Sequence, residues 1–575
     1  MRFDWDGAKA ASNLKKHRVS SPVAFSKSGA MHTLRLTQSA EGQNRHRVEV
    51  ALEGDGGARQ SAVSRFEFAL SAQDQEDLRW YLEDYLEYPL DPAPKVAARI
   101  ETRMAAIGAE LFAAIFQSNE DTRRLWGGAR PRLGDMRVEI VSGVREATSI
   151  PWELLREPNA DTPLSLRARS FVRTSQQAAH ASSFTHNGAG PIRILLVICR
   201  PGGRSDVPFR SVANRLLRGL GATERENVDL TVLRPPTFER LSRTLWEAAT
   251  NGTPFHIVHF DGHGAYGEGG PRAGAHGYLI FENPALNENR EFVDGPKIGE
   301  LLAETRSPVL ILNACRSAHG GTPSASPNIA VSDTHSETRA FGSLAQEIMD
   351  AGAASVVALR YNVYVETAAR FMADLYDTLS QGLTLGEAVN LGRRQLRADP
   401  RRSIAFEPVP LQDWAVPVVF ETAPLALFPK HAGARKLTIT LGDASTPTSE
   451  STSAALPAPP DAGFFGRDET LLALDRAFDS QPIVLLHAYA GSGKTTTAAE
   501  FARWYAFTGG VEGPVLFTTF EAGIGEHKTL VRVMDAFGDV FGQMIEGAGG
   551  EPWLASSERE RRAAALRVMR QIPVT

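Results

Sequence analysis

Pro254-Phe255-His256-Ile257-Val258-His259-Phe260-Asp261-Gly262-His263-Gly264 and Pro308-Val309-Leu310-Ile311-Leu312-Asn313-Ala314-Cys315-Arg316-Ser317 share one grammar. Each is a short apolar, β-branched run that ends on a reactive side chain. Runs of this length bounded by turn residues read as buried strands of a parallel sheet. In open α/β sheets, sites form just outside the carboxyl ends of such strands. A His closing one strand and a Cys closing another make a candidate base and nucleophile.

Around these two runs, strand and helix patterns alternate. Ile192 to Ile198 is the most apolar strand of the first half, and Val228 to Leu233 is another. Ser355 to Leu359 follows the Cys, and Val416 to Phe420 closes the region. Helical spacing covers Phe209 to Leu220, Phe238 to Thr250, Ile298 to Glu304, Ser343 to Ala351, Val365 to Gln381 and Leu385 to Arg397. The alternation predicts an α/β core over 191–430, a parallel-rich sheet with helices on both faces.

Upstream, 31–190 reads as an α+β region. Strand patterns lie between Met31 and Leu70, helices over Gln73–Glu83 and Pro94–Gln117, and a strand over Met136–Ser142. Pro94 suits a first helical turn, where its missing N–H costs nothing. Downstream, 431–460 turns to Ser, Thr, Pro and Ala, the composition of a linker. A new unit opens at 461 with Phe464-Phe465-Gly466-Arg467-Asp468-Glu469 and the apolar run Ile483-Val484-Leu485-Leu486, read as a strand.

Bulk numbers narrow the function. A chain of 575 residues with net charge -5, 42% hydrophobic and 22% charged residues is ordinary globular material. The mild acidity gives no reason to expect nucleic acid or an anionic membrane as a partner. Two cysteines, Cys199 and Cys315, are no disulfide framework. The start carries no apolar signal core, and no run is long enough to span a bilayer. A cytoplasmic location is expected.

A thiol attacks a carbonyl as thiolate, and an unperturbed Cys has a pKa of ~8.5. His263 is placed to take that proton and return it to a leaving amine. The backbone N–H groups of Gly264 and Cys315, each at an expected strand end, are the natural oxyanion donors. Cys199 reads as an inert buried residue. His259 and His263 form an H-x-x-x-H pair, but no third metal ligand accompanies it. His256 and His259 face opposite sides of a strand and suit structural roles. His276, His319 and His335 fall in expected loops, where solvation is the plain reading.

After Leu486 comes His487-Ala488-Tyr489-Ala490-Gly491-Ser492-Gly493-Lys494-Thr495-Thr496-Thr497. Gly493, Lys494 and Thr495 fit the end of the Walker A pattern, with Ala488 where the first Gly belongs. Backbone N–H groups of Gly491, Ser492, Gly493, Lys494, Thr495 and Thr496 would cradle phosphates, Lys494 would reach the β and γ groups, and Thr495 would hold Mg²⁺. The cofactor expected is ATP or GTP with Mg²⁺. Phe517-Thr518-Thr519-Phe520-Glu521 makes a poor Walker B strand, so the sequence reads as a piece ending before that element.

These residues carry resemblances. Asp261-Gly262-His263-Gly264 followed by Asn313-Ala314-Cys315-Arg316-Ser317 resembles the caspase-like cysteine peptidases, whose His precedes the Cys by about 50 residues. The CHAT branch of that clan resembles the chain from roughly 71 to 420. That span includes Ile150-Pro151-Trp152-Glu153-Leu154-Leu155 and Ser343-Leu344-Ala345. The resemblance implies a caspase-like sheet, His263 as base, Cys315 as nucleophile and a protein substrate. It implies specificity set by charges near the strand ends. Relatives that cut after basic residues carry an acid where this chain has Asn313; Asp261 could supply that charge, or Arg360 could pair an acidic residue. The segment 318–338 corresponds to an activation loop that gates the peptidase or is cut by it. The unit from Phe465 onward looks like a signalling NTPase of the STAND class, which implies homo-oligomerisation on activation and a role in intracellular defence. Residues Phe3 to His17 look like the opening of the BrnT ribonuclease toxins, with no toxin core behind them. The competing function is a non-catalytic caspase-like scaffold in a nucleotide-dependent assembly.

Overall fold

The computed structural model describes residues 32–142 (apart from 43 and 55–58), 150–174, 191–202, 228–267, 276–314 (apart from 287), 344–427 (apart from 362 and 405–407), 467–511 (apart from 509), and short pieces of 456–464 and 515–571. The expected helix over 209–220, the segment 318–338, most of the linker and the first 30 residues lie outside them.

The fold is mixed α/β, built on a large sheet of mostly parallel pairs with helices on both faces. Its strands are β1 (Thr33–Gly42), β2 (Arg45–Glu53), β3 (Arg59–Glu67), β4 (Arg137–Ser142), β5 (Ser170–Thr174), β6 (Ile192–Ile198), β7 (Val228–Val232), β8 (Ile257–Gly267), β9 (His276–Phe281), β10 (Glu291–Asp294), β11 (Val309–Ala314), β12 (Ser355–Leu359) and β13 (Pro417–Glu421). Among the described residues the order runs β10-β9-β8-β11-β12-β13-β5-β4-β1-β2-β3, with β6 and β7 joined at β8. The upstream strands therefore extend the core sheet: β5 pairs with β13 at Arg173↔Phe420. The seam is fixed by buried ion pairs, as Arg137 Nη1 donates to Glu421 Oε2 at 2.6 Å.

Period-two alternation explains the layers. In β6, β8, β11 and β12, residues such as Ile194, Ile257, Ile311 and Val357 belong to one buried cluster. Their strand neighbours Leu195, Val258, Leu310 and Val356 belong to another. The first face is covered by α1 (Ala72–Glu83), part of α2 (Ala93–Phe116), α6 (Val365–Ser380) and α7 (Leu385–Ala398). The second is covered by α4 (Phe238–Thr250), α5 (Gly295–Glu304) and the helical stretch 344–350. Beyond these, α3 (Glu120–Ala129) packs with the end of α2 against β1, β2 and β4. Capping sets the helix starts. The side chains of Ser71 and Glu387 work in reciprocal boxes, with Asp74 for α1 and Thr384 for α7.

The pair α8 (Asp468–Phe478) and α9 (Lys494–Phe507) docks on the β6–β7 end of the sheet. Leu471, Leu474, Phe501 and Trp504 share the buried cluster of Ile194 and Leu196. The backbone N–H of Val232 in β7 donates to the carbonyl of Thr508 at 2.9 Å.

Three expectations are corrected. Ile483–Leu486 is not a strand: Ile483 is 85% and Leu485 82% exposed, and no neighbouring strand stands beside them among the described residues. His276, expected in a solvated loop, opens β9 and is buried with Nδ1 3.1 Å from Glu347 Oε1. Gly264, expected at a turn, lies within β8 opposite Leu279, because β8 continues as an antiparallel partner of β9.

Candidate active site

The site is built where β8 changes partners. From Ile257 to Asp261 the strand runs parallel to β6, ending at Ile198↔Asp261. On its other side it runs parallel to β11 as far as Asn313↔Asp261 and Ala314↔Gly262. From His263 onward it pairs with β9 instead, starting at His263↔Ile280. His263 is thus the first residue beyond both parallel partners, half-buried at the carboxyl end of the sheet. Cys315 lies outside the described residues; Ala314, directly before it in sequence, is opposite Gly262, directly before His263.

Gly262 is there for a steric reason. A Cβ on it would stand 2.9 Å from the Phe260 ring and 3.1 Å from Cys199 Cβ. Phe260 is fixed in turn by Phe281, 5.2 Å between ring centroids. Cys199 is fully buried and burial pushes its thiol pKa up, so it stays protonated and inert. His259 is also buried; desolvation lowers its pKa to about 3, which keeps the imidazole neutral. Its Nδ1 lies 3.1 Å from the Tyr376 hydroxyl. His256 Nδ1 accepts from the backbone N–H of Arg193 at 2.9 Å, the structural role its position suggested.

The three expected pocket residues are all buried. Asp261 Oδ2 accepts from Arg200 Nη2 at 2.8 Å, and Oδ1 from Asn313 Nδ2 at 3.3 Å. Asp261 and Asn313 therefore hold the two site strands together and anchor Arg200. Arg360, at the end of β12, sits 3.6 Å from Glu153 Oε2. Burial pulls its pKa down. Glu153 is shared: Arg173 donates to both of its oxygens, at 3.0 and 2.6 Å. Burial would raise the Glu153 pKa, and the surrounding guanidiniums, Arg173 foremost, outweigh it and hold the carboxyl down. Trp152 beside it is a packing anchor, 1% exposed.

Sequence reasoning passed over a polar node behind His263. Glu282, just after β9, accepts from the backbone N–H of Arg200 at 2.8 Å and from Arg476 at 2.8 and 3.0 Å. An arginine two residues past the end of an apolar-rich strand, as Arg200 follows β6, is the one signal that pointed there.

The family model of the CHAT domain matches residues 123–424, more than half of the chain. The chain belongs to the CHAT domain family. Its CHAT region is a caspase-like, protease-related domain, and the matched span holds His263, Cys315 and every strand from β4 to β13. No curated protein sequence matches the chain. Among solved structures, the Saccharomyces cerevisiae separase–securin complex at 2.6 Å resolution is similar at 14% identity and a TM-score of 0.28, covering 52% of this chain and 17% of that one. The 3.0 Å structure of the same complex gives 13% identity, a TM-score of 0.28, and coverage of 54% and 17%. The chain thus spans less than a fifth of the separase length.

Outside the CHAT domain, the glycine loop has its own geometry. Gly491 and Gly493 take left-handed φ values of 75° and 80°, which glycine adopts without strain. No atom lies within 4 Å of where a Cβ would stand on either, so both positions face open space. Gly493 caps α9, whose N-terminal N–H groups and dipole favour an anion. Lys494 Nζ donates to the carbonyls of Ala488 and Tyr489 at 3.0 and 2.9 Å, folding back over its own loop. Arg467 Nη2 braces the loop at the Ser492 carbonyl, 2.9 Å away. The donor set fits a phosphate chain. Thr495, the expected Mg²⁺ ligand, is exposed in the first turn of α9, beside the half-buried Thr496. Among the described residues no group of three His, Cys, Asp or Glu could hold a metal, and no helix is long and apolar enough to cross a membrane.

Proposed function

We propose that the chain is a cysteine endopeptidase in which His263 is the base and Cys315 the nucleophile, controlled by a nucleotide bound at Gly491–Thr496. The observation that carries this reading is the register of β8 and β11. The parallel pair Gly262↔Ala314 sets opposite each other the two residues that directly precede His263 and Cys315 in sequence, at the carboxyl end where α/β sheets place their chemistry. Cys199, by contrast, is buried and protonated. His263 takes the thiol proton, the thiolate attacks the peptide carbonyl, and the imidazolium returns the proton to the leaving amine. Water then releases the acyl group, with His263 as base again. The backbone N–H groups of Cys315 and Gly264 are the proposed oxyanion donors.

ATP or GTP is the proposed ligand of the glycine loop, with Lys494 on the β and γ phosphates and Thr495 on Mg²⁺. The left-handed glycines, the α9 N-terminus behind them and the Lys494 ammonium held at the loop support this assignment. The proposed setting is cytoplasmic defence signalling, with oligomerisation on activation and processing within 318–338.

The test is cleavage of a mixed-sequence peptide library by the full chain with and without ATP and Mg²⁺, against Cys315→Ala and Lys494→Ala. Cuts that vanish in Cys315→Ala are expected; silence from the wild type under both conditions refutes the peptidase. Cuts after acidic residues would support Arg360 as the pocket charge, and cuts after basic residues would require Asp261 to act while it stays paired with Arg200. Loss of labelled-ATP binding in Lys494→Ala is the matching expectation for the loop.

A further inference from the structure

From α8 a chain of hydrogen bonds runs through Glu282 and Arg200 to Asp261, two residues before His263. It begins on α8, where Arg476 donates to both oxygens of Glu282 and to the carbonyl of Ile198, the last residue of β6, at 3.2 Å. Glu282 accepts the backbone N–H of Arg200. The Arg200 guanidinium donates to the Asp261 carboxylate at 2.8 Å, and to the backbone carbonyls of Asp261 and Cys199 at 2.7 and 2.9 Å. Asp261 is two residues before His263 and is bonded to Asn313, two before Cys315. Arg200, Asp261 and Glu282 are 3%, 1% and 4% exposed, so water cannot substitute for these bonds.

A second set of contacts fixes where Arg476 stands. Asp475, fully buried, accepts from Arg476 at 3.1 Å and from Arg234 at 2.8 Å. Arg234 also holds the carbonyl and hydroxyl of Thr508, at the far end of the helix that Gly493 begins. The helix bearing Arg476 and the helix bearing the glycine loop are thereby clamped to the sheet as one unit.

We propose that Arg476 is a positioning residue for His263, supplied to the CHAT site from outside the CHAT domain by the docked α8–α9 segment. Its bidentate grip on Glu282 sets Arg200, and Arg200 sets the strand end from which His263 projects. A guanidinium is suited to this because its planar fork matches a carboxylate, which an ammonium does not. The inference rests on the peptidase reading for its kinetic test and on geometry alone for its spectroscopic one.

The experiment compares wild type, Arg476→Met and Arg476→Lys in the full 575-residue chain. For Arg476→Met, kcat against a cleaved peptide is expected to fall about 10²-fold, the scale of a misplaced catalytic group, with KM within about twofold. Arg476→Lys is expected to recover part of the loss. In protein labelled at histidine Cε1, the His263 signal is expected to shift in Arg476→Met while that of His46, on β2, stays. Unchanged kcat and an unchanged His263 signal overturn the proposal. So does a change that spreads to His46, which marks a merely structural role. If Arg476→Met does not fold, Glu282→Gln carries the same comparison, since it keeps the shape and removes the charge. The peptidase reading fails separately, through absent Cys315-dependent cleavage in wild type, and the His263 signal then still decides the positioning role.

Discussion

The strand before His263 and the run before the glycine loop start alike and end differently. Ile257-Val258-His259-Phe260, apolar but for His259, and the apolar Ile483-Val484-Leu485-Leu486 both lead to a glycine-containing segment. The first is buried between β6 and β11, with Ile257 and Val258 at 0% and 2% exposure. The second is unpaired and largely exposed. A strand is completed by the backbone groups beside it, and an apolar run without such neighbours has nowhere to place its N–H and C=O groups except water. Yet the loop after the unpaired run keeps its shape. Its glycine dihedrals and helix cap are local, whereas the His263 site depends on two strands distant in sequence.

The contrast can be broken by substitution, and the largest effect belongs at the fork of β8. His263→Ala should lower kcat/KM about 10³-fold or more on peptides that wild type cuts, measured against Cys315→Ala, since members of a dyad act as a unit. A retained rate would move the base elsewhere. Next in size is a matched pair of charge insertions. Ile311→Asp should cost roughly 4 kcal/mol or more in denaturant unfolding, because a carboxylate enters a closed core. Ile483→Asp should change stability by less than about 0.5 kcal/mol. Equal effects would mean that the 483–486 run is paired after all. Gly262→Ala comes third, at about 1–3 kcal/mol, because its methyl group meets the Phe260 ring and Cys199. Melting of this variant without loss of stability would show that Phe260 can swing aside.

The effect that is smallest per step is a titration, spread over several pH units. Burial lowers the His259 pKa from 6.5 to about 3, so the folded chain resists a proton that the unfolded chain accepts. The stability this group contributes is whole above pH 6.5 and is lost as pH falls from there toward 3. The slope is about 1.4 kcal/mol per pH unit for one proton. His259→Gln, which can still meet the Tyr376 hydroxyl, should flatten the acid limb of stability against pH by that slope. An unchanged limb would place the acid sensitivity in other groups.

Much of the core was legible because it obeys short-range rules. β6, β8, β11 and β12 announce themselves as apolar β-branched runs, and α1, α2, α6 and α7 by their spacing. β9 and β10 did not, since His276-Gly277-Tyr278 and Glu291-Phe292 have a mixed pattern that becomes a ladder only when β8 runs on past His263. The buried His276–Glu347 contact was illegible for the same reason. Asp261 read as a spare negative charge, because nothing in its neighbourhood of sequence names Arg200 as its partner.

The amino-acid sequence by itself determined the α/β class and the family, and singled out His263 and Cys315 as the candidate pair, because side-chain type and hydrophobic period are written locally. Tertiary structure alone decided three further matters. It set the register that puts Ala314 opposite Gly262, the joining of the upstream strands to the core sheet, and the docking of α8 and α9 onto β6 and β7. Each is a pairing between segments far apart in the chain. Such pairings depend on which backbone edges and buried charges find complements in space, and no window of sequence contains both halves.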